Sequence, residues 1–236
     1  MTLTEFLKTK RYPGRFIVIG RDAGESVVIY GATGRSPASL ARRFVQKGNE
    51  IFMTAADETV AQKGNPELLE YPAVKILEHV IVVANGRQIE NIKDTTDSDV
   101  EGFVGDALSS EMYEPDEYST PRITGLVQPA GDYLAETVLH IVSSVSGAPD
   151  RRVWPLVLEE GEGCYIATYT GEDVKPTPSF QGAPLPVSLD FGSAEAAARG
   201  VFEALAPPDG KSDYRVGIVA VYRREGKTDI KIKNRL

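Results

Sequence analysis

Cysteine, histidine and long apolar runs are scarce in this sequence of 236 residues. The only cysteine is Cys164, which excludes an internal disulfide framework and favours a reducing compartment. The two histidines, His79 and His140, show no metal-ligand spacing. No apolar run approaches the roughly 20 residues that span a bilayer, and the N-terminal segment lacks the apolar stretch of a signal peptide. We therefore expect a cytoplasmic protein with no metal site and no membrane partner.

Common catalytic motifs are also missing. The sequence has no phosphate-binding P-loop, no Gly-x-Gly-x-x-Gly and no Gly-x-Ser-x-Gly. Removal of Met1 would expose Thr2 as an N-terminal nucleophile, but that chemistry needs the residue at the head of a core strand. About a dozen residues separate Thr2 from the first predicted strand, so we do not expect it to be one.

Charge is unevenly distributed along the chain, although its net value is −8. Such an acidic protein is a poor non-specific binder of nucleic acid, so we expect no nucleic-acid partner. Between Met1 and Glu50, however, nine Lys or Arg residues stand against four Asp or Glu residues. This basic segment is either a solvated face or an anion site, because a small phosphate needs only a few fixed cations. Charge alone leaves both interpretations open.

The order of elements predicts an α+β fold of one domain over residues 1–236. Eight to ten strands come mostly as hairpins, which favours antiparallel sheets with helices on their outer faces. Helices are predicted over Asp97–Ser110 and Ser193–Leu205, a short helical turn over Leu40–Phe44, and an irregular loop over the proline-rich Asp173–Pro186. The eleven candidate segments for these strands are Gly14–Arg21, Glu25–Ala32, Glu50–Ala55, Tyr71–Leu77, His79–Ala84, Ile123–Gln128, Tyr133–Val145, Val153–Leu158, Cys164–Thr170, Tyr214–Arg223 and Thr228–Lys233.

Three segments each place an arginine beside a glycine or proline. The glycines allow close backbone approach or a flexible turn, and the proline stiffens the entry to a strand. A guanidinium beside hydroxyl groups suits phosphate oxygens, although each arginine alone is typical of a surface residue. The segments are Tyr12–Gly20 with Gly14 and Arg15, Gly34-Arg-Ser36 with Arg35, and Tyr118–Gly125 with Thr120, Pro121 and Arg122.

Other short pieces accompany these segments in a fixed order. They are Tyr12-x-Gly-Arg15 with Gly20, Gly34-Arg-Ser36, Asn65-Pro66 followed by Tyr71-x-Ala-Val74, Asn85-Gly86, and the long Asp116-Glu-Tyr-Ser-Thr-Pro-Arg-Ile-Thr-Gly125. Together they resemble the archaeal-type IMP cyclohydrolase family and its bacterial relatives. The resemblance covers roughly Tyr12 to Val127, about half of the chain.

This resemblance implies four α-β-β-α layers like those of the N-terminal-nucleophile hydrolases, without their nucleophile. It implies a hydrolase of purine biosynthesis that closes 5-formamidoimidazole-4-carboxamide ribotide to inosine monophosphate (IMP) with loss of water. The expected partner is this small purine ribonucleotide, and the sequence is compatible with a homo-oligomer. No cofactor is expected, because both reacting groups already lie on one ring and need only orientation and proton transfer.

The sequence departs from the family pattern after Asn85-Gly86. A Thr-Asp pair is expected there, and Ile89-Glu90 stands in its place. This departure motivates an alternative, namely a purine-nucleotide-binding relative that kept the phosphate site and lost cyclisation. A second alternative is an amidohydrolase on the same fold, which would need Thr2 or Cys164 as its nucleophile.

The reaction assigns hypothetical roles to residues of these segments. Arg35 would polarise the formyl group, and Tyr71 would relay a proton or orient the formamide. Glu117 would deprotonate or orient the carboxamide, with Glu114 as the alternate. The expected substrate-binding residues are Arg15, Ser36, Thr120 and Arg122 for the 5′-phosphate and ribose, and Asn85 for the base.

Overall fold

The computed structural model describes residues 1–57, 59, 70–129 and 136–236. Within these residues the chain forms thirteen strands, more than the eight to ten expected. The strands are β1 (Arg15–Asp22), β2 (Glu25–Thr33), β3 (Arg42–Lys47), β4 (Glu50–Ala55), β5 (Tyr71–Ile76), β6 (Ile81–Ala84), β7 (Arg122–Gln128), β8 (Glu136–Val145), β9 (Ala148–Leu156), β10 (Glu162–Ala167), β11 (Leu185–Ser188), β12 (Arg215–Arg224) and β13 (Lys227–Asn234).

Short helices make up the rest of the regular structure in the described ranges. Ser193 caps the last helix and Asp99 caps the one before it. Both predicted helices are confirmed, the last at nearly its predicted length and the earlier one only over Val100–Ala107 of the predicted Asp97–Ser110. The first helix was not predicted, although Thr2 and Glu5 form a capping box at its start. None of the helices described is long and apolar enough to cross a membrane. The helices are α1 (Leu3–Lys8), α2 (Pro37–Leu40), α3 (Val100–Ala107), α4 (Ala194–Ala204) and a 3₁₀ helix (Arg87–Asn91).

The strands form two sheets in which every neighbouring pair is antiparallel, as the hairpin pattern predicted. One sheet has the order β11-β10-β1-β2-β12-β13, and the other has the order β3-β4-β5-β6-β7-β8-β9. The β1–β2 hairpin turns at Ala23 and Gly24, both with positive φ, which is the backbone of a tight two-residue turn. The mixed α and β composition with antiparallel sheets is therefore confirmed.

The two sheets share one apolar core, which includes buried side chains from β1, β2, β5 and β7. They approach closely at Gly125 of β7, where an added Cβ would lie 2.6 Å from the Ile19 side chain of β1. Helices α1 and α4 pack together, and α4 packs on β12 and β13, whereas α3 packs on β8 and β9 of the other sheet. The core between the sheets fixes the positions of the strand ends that carry the polar residues discussed below.

Two sequence predictions fail at strands that lie at sheet edges. The helical turn expected over Leu40–Phe44 is displaced, because α2 ends at Leu40 and β3 begins at Arg42 to pair with β4. The loop expected over Asp173–Pro186 ends earlier, since β11 begins at Leu185. A proline is tolerated in β11 because an edge strand has hydrogen bonds on one side only. The start of the strand predicted over Tyr133–Val145, and Asn65-Pro66, lie outside the described residues.

The two histidines lie in different environments. His79 is exposed, and its Nδ1 lies 2.8 Å from Asp94 Oδ2. His140 is buried in β8, where burial and, to a smaller extent, Arg151 lower its pKa to about 4.

The buried His140 predicts a loss of stability on mild acidification. Its folded pKa lies below the ordinary value, so the unfolded chain binds the proton first as the pH falls from about 6.5 towards 4. We expect His140 to remove about 2 kcal/mol of the unfolding free energy between pH 7.5 and pH 5. Urea titrations at the two pH values should show a smaller difference in His140→Gln than in the unchanged chain. The same change at the exposed His79 is the control, and an equal effect there would contradict the assignment.

Candidate active site

Arg15 opens strand β1 and forms a buried ion pair with Glu114. Gly14 makes this position possible, because its φ of 73° and its close packing on Thr168 exclude a side chain. The Arg15 amide donates to Thr168 Oγ1 at 3.1 Å, which holds the strand end in place. The expectation of close backbone approach at Gly14 is therefore confirmed, and the group approached is Thr168.

Glu114 is the most buried acidic side chain in the described part of the chain, with 2% exposure. The Glu114 Oε1 atom accepts from Asn85 Nδ2 at 3.0 Å, and the Glu114 backbone amide donates to Thr120 O at 2.8 Å. Burial raises the pKa of the Glu114 carboxyl, while the Arg15 guanidinium acts against that rise. The Glu114 carboxylate in turn raises the pKa of Arg15, against the effect of burial. Direct contact with a cation keeps this pair ionised.

Glu117, expected to act ahead of Glu114, lies in a different environment. It is exposed, and by accepting a hydrogen bond it raises the pKa of the neighbouring Tyr118 phenol. The structure thus brings Glu114, and not Glu117, together with Arg15.

Two phenols lie beside this ion pair. Tyr71, the first residue of β5, is 2% exposed, and its hydroxyl lies 2.8 Å from that of the fully buried Tyr30. Both phenols interact electrostatically with the Arg15 and Arg42 guanidinium groups. Burial raises the pKa of Tyr30, so its hydroxyl stays protonated and can only exchange hydrogen bonds.

Arg42, the first residue of β3, is buried. It is 1% exposed, its Nε donates to Ser39 O at 2.9 Å, and no carboxylate of the described residues lies within ion-pair distance. Burial lowers its pKa. Its Nη groups donate to none of the described residues, so they remain as donors for an anionic ligand. Sequence analysis missed Arg42 because it placed this residue in a helical turn and treated it as surface.

Arg35 and Ser36 are engaged elsewhere. The Arg35 guanidinium donates to Val174 O at 3.0 Å and to Thr177 Oγ1, and it stacks on the Tyr12 ring at 4.2 Å. Ser36 caps helix α2, where its Oγ accepts from Ser39 N at 3.1 Å. Arg35 thus ties the proline-rich loop to Tyr12.

Thr120 and Arg122 lie in internal networks. Thr120 is fully buried, and its hydroxyl donates to Asp116 at 2.6 Å and lies 2.7 Å from the Tyr169 hydroxyl. Arg122 donates to Gln88 Oε1 at 2.9 Å and lies 3.9 Å from Glu111. These residues surround Glu114 on the side of β7.

The departure at Ile89-Glu90 falls in the 3₁₀ helix. Ile89 is fully buried in the apolar cluster with α3, and Glu90 is exposed. Neither side chain is among the groups that contact the Arg15–Glu114 pair.

The nucleophiles needed by an amidohydrolase are poorly placed. Cys164 is partly buried, and burial raises the pKa of its thiol, which disfavours the reactive thiolate. The Thr2 hydroxyl caps α1, accepting from the Glu5 amide at 3.2 Å.

The structure therefore brings Arg15, Tyr71 and Asn85 of the predicted set together with Glu114, and adds Tyr30 and Arg42. We refer to Arg15, Tyr30, Arg42, Tyr71 and Glu114 as the buried cluster. The family described as IMP cyclohydrolase-like protein matches residues 12–231, nearly the whole chain. The chain belongs to this family. The match extends well beyond Val127, where the sequence resemblance was seen to end.

The chain is also similar in sequence to archaeal IMP cyclohydrolases. The IMP cyclohydrolase of Thermococcus kodakarensis is 31% identical over 194 residues, which cover 82% of this chain and 86% of the relative. That of Methanothrix thermoacetophila is 27% identical over 193 residues, covering 81% and 85%. That of Methanocaldococcus jannaschii is 25% identical over 159 residues, covering 67% and 73%.

Proposed function

We propose that this protein is an IMP cyclohydrolase, which closes 5-formamidoimidazole-4-carboxamide ribotide to IMP and releases water. The observation that carries the proposal is the buried cluster, which combines a carboxylate, a phenol pair and a cation, Arg42, that pairs with no carboxylate of the described residues. Family membership and the names of the archaeal relatives support the same activity. Arg15 and Glu114 neutralise each other, so Arg42 supplies the net positive charge that an anionic nucleotide requires.

Ring closure needs proton transfers but no external nucleophile. The carboxamide nitrogen attacks the formyl carbon, one proton leaves that nitrogen and one reaches the formyl oxygen. The resulting hydroxyl then departs as water while the former formamide nitrogen loses its proton and forms the ring double bond. Glu114 suits the first deprotonation, and the Tyr71 hydroxyl suits the formyl oxygen, where negative charge develops. Holding both groups of one substrate in register supplies much of the acceleration.

The 5′-phosphate is assigned to Arg42, with Ser36 at the other end of the short α2 segment. Arg15, Thr120 and Arg122 remain proposed phosphate or ribose contacts. Arg35 would reach the formyl oxygen only by leaving Asp173, Val174 and Thr177, so the Tyr71 hydroxyl is preferred there.

We further propose that the two sheets and their helices form a single α-β-β-α domain of the N-terminal-nucleophile-hydrolase type. A homo-oligomeric assembly and a cytoplasmic location complete this proposal. The chemistry requires no metal or organic cofactor.

The decisive experiment mixes purified protein with the formamido ribotide and follows the ultraviolet spectrum. We expect the substrate signature to disappear and the IMP signature to appear at a rate proportional to protein concentration. Calorimetric titration with IMP runs in parallel. Saturable IMP binding without turnover would support the inactive nucleotide-binding relative instead. Release of formate with no IMP would support the amidohydrolase.

A further inference from the structure

Asn85 has no hydrogen-bonding capacity left for a ligand. It follows strand β6 and is 1% exposed. Its Oδ1 accepts from Ile123 N at 2.8 Å and from Gln88 Nε2 at 3.0 Å. Its Nδ2 donates to Pro121 O at 2.9 Å and to Glu114 Oε1 at 3.0 Å. An amide side chain has two donor hydrogens and two acceptor lone pairs, and all four are used.

The partners also determine which way the Asn85 amide points. A backbone N–H can only donate and a proline carbonyl can only accept, so Ile123 and Pro121 exclude the flipped amide. Gln88 agrees with this orientation, since its Oε1 accepts from Arg122 and its Nε2 is therefore directed at Asn85. The Nδ2 hydrogen must then face Glu114.

The two oxygens of Glu114 differ as a result. Oε1 receives both the Arg15 guanidinium and the Asn85 amide. Oε2 receives no hydrogen bond from any of the residues described, and it is not sealed from solvent. An oxygen without a fixed donor is the one that can take a proton from a substrate at short range.

We propose that Asn85 is a positioning residue, which together with Arg15 holds Glu114 Oε1 so that Oε2 is the oxygen that exchanges protons. Gln88 fixes the orientation of Asn85 by donating to its Oδ1, and Arg122 fixes Gln88 by donating to its Oε1. This proposal rests on the proposed function, and it replaces a contact between Asn85 and the purine base. The charged groups that act on Glu114 are Arg15, Asp116 and Arg122.

The test is Asn85→Asp, an isosteric change. It keeps acceptors for Ile123 and Gln88 but replaces the donor to Glu114 by a second carboxyl group. Because like charges favour protonation of one partner, the Glu114 pKa should rise. We expect the acid limb of the kcat–pH profile to move up by at least about one pH unit, kcat at pH 7 to fall about tenfold, and the Kd for IMP to stay within about threefold of wild type.

Two further variants keep the result interpretable. Asn49→Asp makes the same chemical change at an exposed turn and should leave kcat, the profile and the Kd unchanged. If Asn85→Asp does not fold, Gln88→Met still tests whether Gln88 holds Asn85 in position. In this variant Asn85 keeps its hydrogen bonds to Ile123, Pro121 and Glu114. We expect Gln88→Met to lower kcat about threefold at unchanged IMP affinity.

The opposite pattern would overturn the proposal. At least tenfold weaker IMP binding with an unmoved acid limb would assign Asn85 to the base. An unchanged kcat in Gln88→Met would show that Gln88 does not help to position Asn85.

Failure of the proposed function would be visible separately, as a wild-type protein without turnover. In that case NMR titration of the Glu114 carboxyl carbon still tests whether Asn85 controls the pKa of Glu114. The signal is identified by its loss in Glu114→Gln. An upward shift in Asn85→Asp would support control of Glu114 by Asn85, and no shift would exclude it.

Discussion

Glu114→Gln is expected to lower kcat by about 100- to 1,000-fold. The amide keeps the size of the side chain and an acceptor for Asn85, but it cannot take a proton from the carboxamide nitrogen. The KM should change little, because the carboxylate acts on a neutral part of the substrate. Steady-state kinetics with the formamido ribotide would measure both constants.

The matched control is Glu117→Gln, which makes the same change at the exposed acid of the same segment. We expect it to retain kcat within about threefold, because surface substitutions away from a site have small effects. A larger loss in Glu117→Gln than in Glu114→Gln would reverse the assignment. Removal of one partner from a buried ion pair also costs up to about 3–5 kcal/mol of stability. Circular dichroism must therefore confirm that the variant is folded at the assay temperature.

Arg42→Met is expected to weaken IMP binding by about 100-fold while raising the melting temperature. Among the described residues the guanidinium has one acceptor, Ser39 O, and no acidic partner, and burial lowers the pKa of Arg42, so the protein without ligand bears part of the cost of its desolvation. Replacing buried ion pairs by apolar groups of similar volume can stabilise a protein by about 1–4 kcal/mol, and the same saving in desolvation applies to Arg42. At roughly 2–4 °C per kcal/mol for a chain of this size, calorimetry should detect the rise. Loss of affinity together with a gain in stability distinguishes a binding residue from a structural one.

Arg43→Met is the control for this change, because Arg43 is the exposed neighbour on the same strand. It should alter neither quantity appreciably. Inosine should bind Arg42→Met and wild type about equally, since it lacks the phosphate. Inorganic phosphate should raise the melting temperature of wild type and not of Arg42→Met. A lower melting temperature in Arg42→Met with unchanged IMP affinity would mean that the buried charge serves the fold.

Some parts of this protein follow from the sequence alone because their causes are local. The β1–β2 hairpin depends on Ala23-Gly24 between two β-branched runs, and α4 depends on Ser193 and an alanine-rich stretch. Arg15 was predicted from Gly14 beside it, and the long segment that ends at Gly125 indicated the family. The misplaced elements, β3 and β11, lie at sheet edges, where pairing with a distant strand decides the structure.

The tertiary structure alone decided which arginine and which carboxylate enter the buried cluster. Arg42 and Arg43 are identical neighbours in sequence, and only the pairing of β3 with β4 buries one and exposes the other. Glu114 and Glu117 are three residues apart, and only contact with Arg15, 99 positions earlier, selects Glu114. Desolvation and ion pairing depend on what surrounds a group in space. The scarcity of cysteine, histidine and apolar runs limited the classes of protein that the sequence could encode, whereas burial selected the residues of the proposed site.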